Sequence, residues 1–338
     1  KILNLRGLGD VYANLSNYSR SLNYYKQARE LSTAIKNIAA QISVDVSIGT
    51  LYYNINRPIK ALQIFIDAKN KLDVESDPYS AEDIDFKIGL AYSEIDSLDK
   101  GNRFFNEALK TAQSVSDIYY ETLISTEQAH NYYLQNEYTK AENYLSKYLS
   151  VAKANGFNQL LGLQNIYLGK IYSAQKQYPK SISFFKAASL LAEAEKDYNN
   201  VLEAEYQLGK IYAEQNDYQN AEIHYLNAIN LTDKISETLI TNSEIQIAHF
   251  SGLNECYNEL AKIYLEQQRN EDAFSIIERS HSRNTFQNLS NLQLNFDAID
   301  KKTLTRFYDV KWMINSGLFD QNKLAILEKE YSELAREI

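Results

Sequence analysis

The chain has almost no cysteine, proline, tryptophan or methionine: one Cys, three Pro, one Trp and one Met in 338 residues. With a single thiol, Cys256, no intramolecular disulfide can form, and a reducing, cytoplasmic setting is expected. Pro is scarce and Gly numbers only 11, so few residues break helices and long helical runs are permitted. No apolar run approaches the roughly 18 residues of a membrane span. No leader segment is visible, although Lys1 opens inside an amphipathic stretch, which points to a chain that starts upstream. The formal charge of −9 has no basic stripe within it, so nucleic acid is not an expected partner.

Catalytic constellations are missing too. There is no Walker loop, no Gly-x-Gly-x-x-Gly and no paired-carboxylate motif. His130, His224, His249 and His281 share no i, i+3 or i+4 spacing, so no helical metal pair is expected. Cys256 has no indicated activating base and reads as a small core residue. No cofactor, metal or enzymatic activity is expected within these residues.

What is present is a repeat. An apolar-Gly-x-x-Tyr motif recurs at Leu8-Gly9…Tyr12, Ile48-Gly49…Tyr52, Ile88-Gly89…Tyr92, Leu168-Gly169…Tyr172 and Leu208-Gly209…Tyr212. Ala129 and Tyr132 fill the remaining slot, so the period is 40 residues over six units. A seventh unit, Leu260-Ala261…Tyr264, follows the sixth after 52 residues. Twelve residues past the small residue stands another: Ser21, Ala61, Gly101, Ala141, Ser181, Ala221 and Ala273. Four further on is a large apolar residue: Tyr25, Phe65, Phe105, Leu145, Phe185, Tyr225 and Ile277. Three further again is Ala28, Ala68, Ala108, Ala188 or Ala228, with Tyr148 breaking the run and predicting looser packing in the fourth unit.

Residues spaced i, i+3 and i+4 share a helix face. Gly and Tyr therefore mark the buried stripe of one helix, and the Ala-x-x-x-Phe-x-x-Ala run marks that of the next. Small residues let the two backbones approach closely and the aromatic fills the space beside them. Polar turns such as Leu15-Ser16-Asn17, Ile55-Asn56-Arg57-Pro58 and Gln175-Lys176-Gln177 join them. Each unit is predicted to be one antiparallel helix pair.

This order of small residue, Tyr, Ala, aromatic and Ala resembles the tetratricopeptide repeat (TPR) over roughly residues 1–280. A typical TPR unit has about 34 residues, so the 40-residue period reads as a lengthened variant. The resemblance implies an all-α fold: a right-handed superhelical solenoid of antiparallel helix pairs. Its span would be residues 1–290, seven pairs with the first truncated. It also implies a groove lined by first-helix positions three before, one after and four after the small residue. On this chain those positions include the aromatics Tyr53, Phe86, Tyr133 and Tyr206, and the cations Lys170, Lys210 and Lys262. Such a groove suits a protein or peptide partner, an acidic one if the lysines form a ladder. The alternative is that these lysines are solvated helix-surface charges. The Lys/Asn/Arg set of a chaperone-type carboxylate clamp is not found.

Past the seventh unit, Glu278, Arg279, Ser280 and Arg283, followed by Phe286 and Leu289, resemble the segment that closes TPR arrays fused to caspase-like CHAT peptidase domains. Residues 291–338 are expected to form a helical cap, or a linker to a downstream domain, with helices over Thr303–Ile314 and Asn322–Ile338. Two functions are therefore expected: a binding scaffold serving as the sensor arm of a caspase-like protease, or the sensor or peptide-binding module of a bacterial signalling protein. Any catalytic domain would lie beyond residue 338.

Overall fold

The computed structural model describes residues 1–14, 17–75, 77–241 and 252–291, with isolated positions between 306 and 333. Among these residues there is no strand. The helices run in consecutive pairs: α1 (Ile2–Asn14) with α2 (Tyr18–Ala34), α3 (Ile38–Asn54) with α4 (Pro58–Lys69), and α5 (Pro78–Glu94) with α6 (Leu98–Ser114). Then come α7 (Ile118–Leu134) with α8 (Tyr138–Asn155), α9 (Asn158–Ala174) with α10 (Tyr178–Glu195), α11 (Tyr198–Glu214) with α12 (Tyr218–Thr241), and α13 (Gly252–Glu266) with α14 (Asn270–Asn291). The chain divides into two compact units. One comprises Lys1–Ile211 with Asn230–Phe250, the other Tyr212–Ile229 with Ser251–Ile338. The expected helices Thr303–Ile314 and Asn322–Ile338 lie largely outside the described residues, as do Leu15, Ser16 and His249, and nothing is described of the side chains of Arg283, Phe286 and Leu289.

The turns explain why the helices are regular. Lys36, Asn56, Asp96, Ser116, Asn136, Gly156, Lys176, Lys196 and Asn216 all have positive φ, each a multiple of twenty residues from the next. Each sits just past a helix end in the left-handed conformation that closes a Schellman motif. After α3, for example, Arg57 N donates to Tyr52 O at 2.9 Å and Asn56 N to Tyr53 O at 3.0 Å. The following residue then starts the next helix. Asn37 accepts from Ala40 N and Asp117 from Tyr120 N, both at 2.9 Å. One two-residue element thus ends one helix and caps another.

Packing within each pair follows the predicted stripes. Ala28, Ala68, Ala108, Ala188 and Ala228 are fully buried. A Cβ added to Gly89 would lie 2.5 Å from Phe105 Cδ1, and one on Gly169 would lie 2.7 Å from Phe185 Cε1. Gly9 faces Tyr25 and Gly49 faces Phe65 in the same way. Where the small residue is Ala129, the facing residue is Leu145; where it is Ala261, the same register holds Ile277. Volume is traded across the contact: glycine with an aromatic, alanine with an aliphatic.

The motif tyrosines form a second layer. Tyr92 stacks on Phe104 at 5.5 Å, Tyr172 stacks on Phe184 at 5.4 Å, and Tyr132 meets Tyr144 at 5.3 Å with the rings tilted. A cation from the start of the second helix covers the other ring face: Lys60 over Tyr52 at 4.2 Å, Lys140 over Tyr132 at 3.8 Å and Lys180 over Tyr172 at 4.9 Å.

The fourth pair is not loose at Tyr148. Its ring is buried to 4% exposure and its hydroxyl donates to Glu121 at 2.8 Å, so the larger side chain is accommodated rather than tolerated in a gap. Neighbouring pairs are joined by recurring contacts on the second-helix side. Arg29 and Lys71 both bind buried Asp45 at 2.8 Å, and Lys69 binds Asp85 at 2.5 Å.

In the second unit, Tyr264 donates to Glu222 at 2.9 Å, repeating the Tyr172 to Glu142 bond at 2.6 Å in the first. Arg269 adds an ion pair to Glu222 at 2.6 Å, which holds that carboxyl below its usual range, and lies 4.2 Å above the Tyr264 ring. The 52-residue spacing therefore leaves the junction of the sixth and seventh pairs intact. Cys256 is fully buried, as expected of a core residue.

Candidate functional site

First helices of successive pairs touch one another in the first unit: α1 with α3, α3 with α5, α5 with α7, and α7 with α9. Their contacts are polar on one face. Tyr120 donates to Asp83 at 2.6 Å, Gln164 to Thr126 at 2.9 Å, and Tyr167 to both oxygens of Glu127 at 3.2 and 3.3 Å. Lys170 on α9 binds Glu203 on α11 at 2.7 Å.

This face draws together residues that are far apart in sequence. The charge of Glu127, on the fourth pair, reaches Tyr53 on the second, and Tyr53 in turn lies within electrostatic range of Tyr167 on the fifth. Tyr133, on the fourth pair, feels Glu203 on the sixth. These residues, on helices two and three pairs apart, therefore share one face of the first unit.

Glu127 sits at the middle of that face. Burial pushes its carboxyl up to about 7, against the opposing pull of Tyr167 and Lys170. His130, one turn along, stacks on Tyr167 with ring centres 4.3 Å apart and planes 5° from parallel. Burial, aided by the Lys170 charge, lowers its imidazole to about 4, so it is neutral at pH 7. Tyr133 lies on the other side of His130 at 6.1 Å. Burial and the nearby carboxylates raise the phenols of Tyr53 and Tyr167 above their ordinary value.

Of the residues expected to line the groove, Tyr53, Tyr133, Lys170 and Tyr206 are half-buried on first helices of this unit and Lys210 is exposed. Phe86 is a correction: at 6% exposure it packs on Phe105 at 5.8 Å and Tyr120 at 6.1 Å, inside the core. The same register holds Thr126 and Ile166, at 0% and 1% exposure, because the first helix is covered on that side by the helices packed against it. Of the expected cation ladder, Lys170 is already neutralised by Glu203, and Lys262 belongs to the second unit, where it pairs with Glu259 at 2.5 Å. The unexpected members are Glu127 and Tyr167, two residues before the small residue. The signal for them is the i, i+3, i+6 run Glu127, His130, Tyr133, which places all three on one helix face.

Among the described residues no three His, Cys, Asp or Glu side chains gather as metal ligands, and no helix is long and apolar enough to cross a membrane.

No curated protein sequence matches the chain. Solved structures share its architecture at low identity. NprR in complex with its cognate peptide NprX aligns with a TM-score of 0.59 at 15% identity, over 99% of this chain and 84% of that one. Apo RapI aligns at 0.54 and 18% identity, over 88% and 98%. A signal transduction ATPase with a tetratricopeptide repeat sensor, from Pyrococcus horikoshii, aligns at 0.57 and 15% identity; it covers 99% of this chain, which spans 48% of that protein. The tetratricopeptide repeat family profile matches residues 161–234, which run from α9 into α12. The chain is thus an all-α array of antiparallel helix pairs with a TPR-like solenoid fold.

Proposed function

We propose that the chain is a binding scaffold whose first-helix wall, between α3 and α11, receives a peptide or an extended segment of a partner protein. One observation carries this reading: Tyr53, Glu127, Tyr133, Tyr167, Lys170 and Glu203, contributed by four helix pairs, share a single face. Half-buried tyrosines give contact area at little entropic cost, and the interleaved charges give orientation. A face that only needed to be wetted would not bury or half-bury a carboxyl and three phenols.

Of the two settings expected from the sequence, the peptide-sensing module is the better supported, because NprR with its peptide shares the fold over nearly the whole chain. None of the three solved structures named above is a caspase-like protease, and that association rests on the motif of Glu278, Arg279, Ser280 and Arg283, with Phe286 and Leu289 following. An acidic partner is less well supplied than a basic or mixed one, since Glu203 already occupies Lys170.

The test is a binding screen of the chain against randomised heptapeptide pools, followed by Tyr53→Ala and Tyr133→Ala. Retained helicity with at least tenfold weaker binding of the selected peptides is the expected result. Selection of no peptide by the chain, or equal affinity in both variants, would count against the reading.

A further inference from the structure

Glu127 is an anomaly. Its carboxyl is half-buried, yet among the described residues no ion pair reaches it. The cation whose charge it feels, Lys170, is bound to Glu203 at 2.7 Å. Its one hydrogen bond is a long, forked one, with the Tyr167 hydroxyl 3.2 and 3.3 Å from its two oxygens. A carboxylate accepts about four hydrogen bonds, so both oxygens keep open acceptor sites. Beside it the His130 and Tyr167 rings stack on each other, 4.3 Å apart and 5° from parallel. The phenol of Tyr53, on α3, lies within electrostatic range of the same carboxyl.

We propose that this hollow is a subsite for one cationic group on the bound peptide, the guanidinium of an arginine side chain. The inference rests on the peptide-binding reading and names the chemistry it selects. A guanidinium is planar and presents forked N–H donors that match both oxygens of a carboxylate. An ammonium would use the charge but not the fork. The surroundings do not oppose a cation: His130 is held neutral, and Lys170 is balanced by Glu203. The Tyr167 hydroxyl orients the carboxylate without saturating it.

Two probes separate the subsite from the groove. The first is Nα-acetyl-argininamide against its neutral isostere Nα-acetyl-citrullinamide, titrated into the whole chain and followed by NMR shifts. The second is a heptapeptide pool with arginine or citrulline fixed at one position. The expected result is saturable binding of the arginine probe, at least tenfold weaker binding of citrulline, and loss of that preference in Glu127→Gln. Glu94→Gln, which alters a carboxylate near Tyr53 but not this hollow, should keep the preference. Arginine preference that depends on Glu127 with either probe supports the subsite. Equal binding of arginine and citrulline with both probes, or a preference unchanged in Glu127→Gln, overturns it. Binding of neither arginine probe also overturns it. Pool binding with no preference in either probe leaves the peptide reading standing and removes the subsite. Argininamide binding with no pool bound does the reverse.

Discussion

The fourth and fifth helix pairs stand next to each other and share one repeat, yet solve its packing differently. In the fifth, Gly169 faces Phe185, Ala188 lies fully buried, and the last turn closes on Lys196. In the fourth, Ala129 stands in the register of Gly169, Leu145 in that of Phe185 and Tyr148 in that of Ala188, and the turn closes on Gly156. Both interiors are equally closed. What the repeat holds constant is the volume filled between two helix axes, not the identity of either residue. The first-helix wall is where the pairs are free to diverge, and there the fourth pair carries Glu127 and His130.

The largest effect should come from Tyr148→Ala. The fifth pair uses alanine in that register, but the fourth has no bulk to replace the ring. A loss of about 3 kcal/mol is expected in urea unfolding, and a neutral result would show that the site collapses freely. Leu145→Phe should cost about 1–3 kcal/mol by overpacking against Ala129, and Ala129→Gly in the same chain should recover most of it. The mirror test is Gly169→Ala. Its clash with Phe185 should outweigh the roughly 1 kcal/mol gained in helix propensity, for a net loss of about 1–2 kcal/mol. Additive rather than compensating effects would break the idea of traded volume.

Glu127→Gln should act through pH. The carboxyl is raised from 4.5 to about 7, so the folded chain holds this proton more tightly than the unfolded one. The resulting cost is absent below the unfolded value and complete above the folded one. The variant should therefore match the parent near pH 4.5 and exceed its stability at pH 8, by on the order of 1–2 kcal/mol. His130 has the opposite sense, its cost appearing below 6.5, but it is common to both proteins, as is Glu82, also raised to about 7 by burial. The other groups around Glu127 are Tyr53, Tyr167 and Lys170; Glu94 and Glu203 lie close to these in turn. A variant no more stable at pH 8 would show that the carboxylate is already well solvated. The smallest effect belongs to the turns. Lys196→Gly should stabilise by roughly 0.5–1 kcal/mol by relieving positive φ, and Gly156→Ala should destabilise by a similar amount.

The interior of each pair was legible in the sequence because it obeys a local rule. Gly89, Phe105 and Ala108 lie within two adjacent helices, and their spacing reports a shared face directly. The wall was only partly legible, since its contacts join residues about forty positions apart: Glu127 with Tyr167, Lys170 with Glu203. The resemblance to the repeat family pointed to Tyr53, Tyr133 and Lys170 as groove residues, but it carried no sign of the carboxylate that neutralises Lys170. Phe86 was misplaced for the same reason, because whether its register faces the groove or the core depends on how closely successive first helices pack.

The two-residue turn has a consequence for length variation. Because its left-handed residue and the cap that follows leave no slack, removing one residue would swing the next helix about 100° around its axis and bring polar side chains onto the buried stripe. Insertions and deletions are therefore confined to places where a helix can run on past its usual stop. The chain shows one such place, between Glu222 and Tyr264, where α12 extends to Thr241 and the following unit regains its phase.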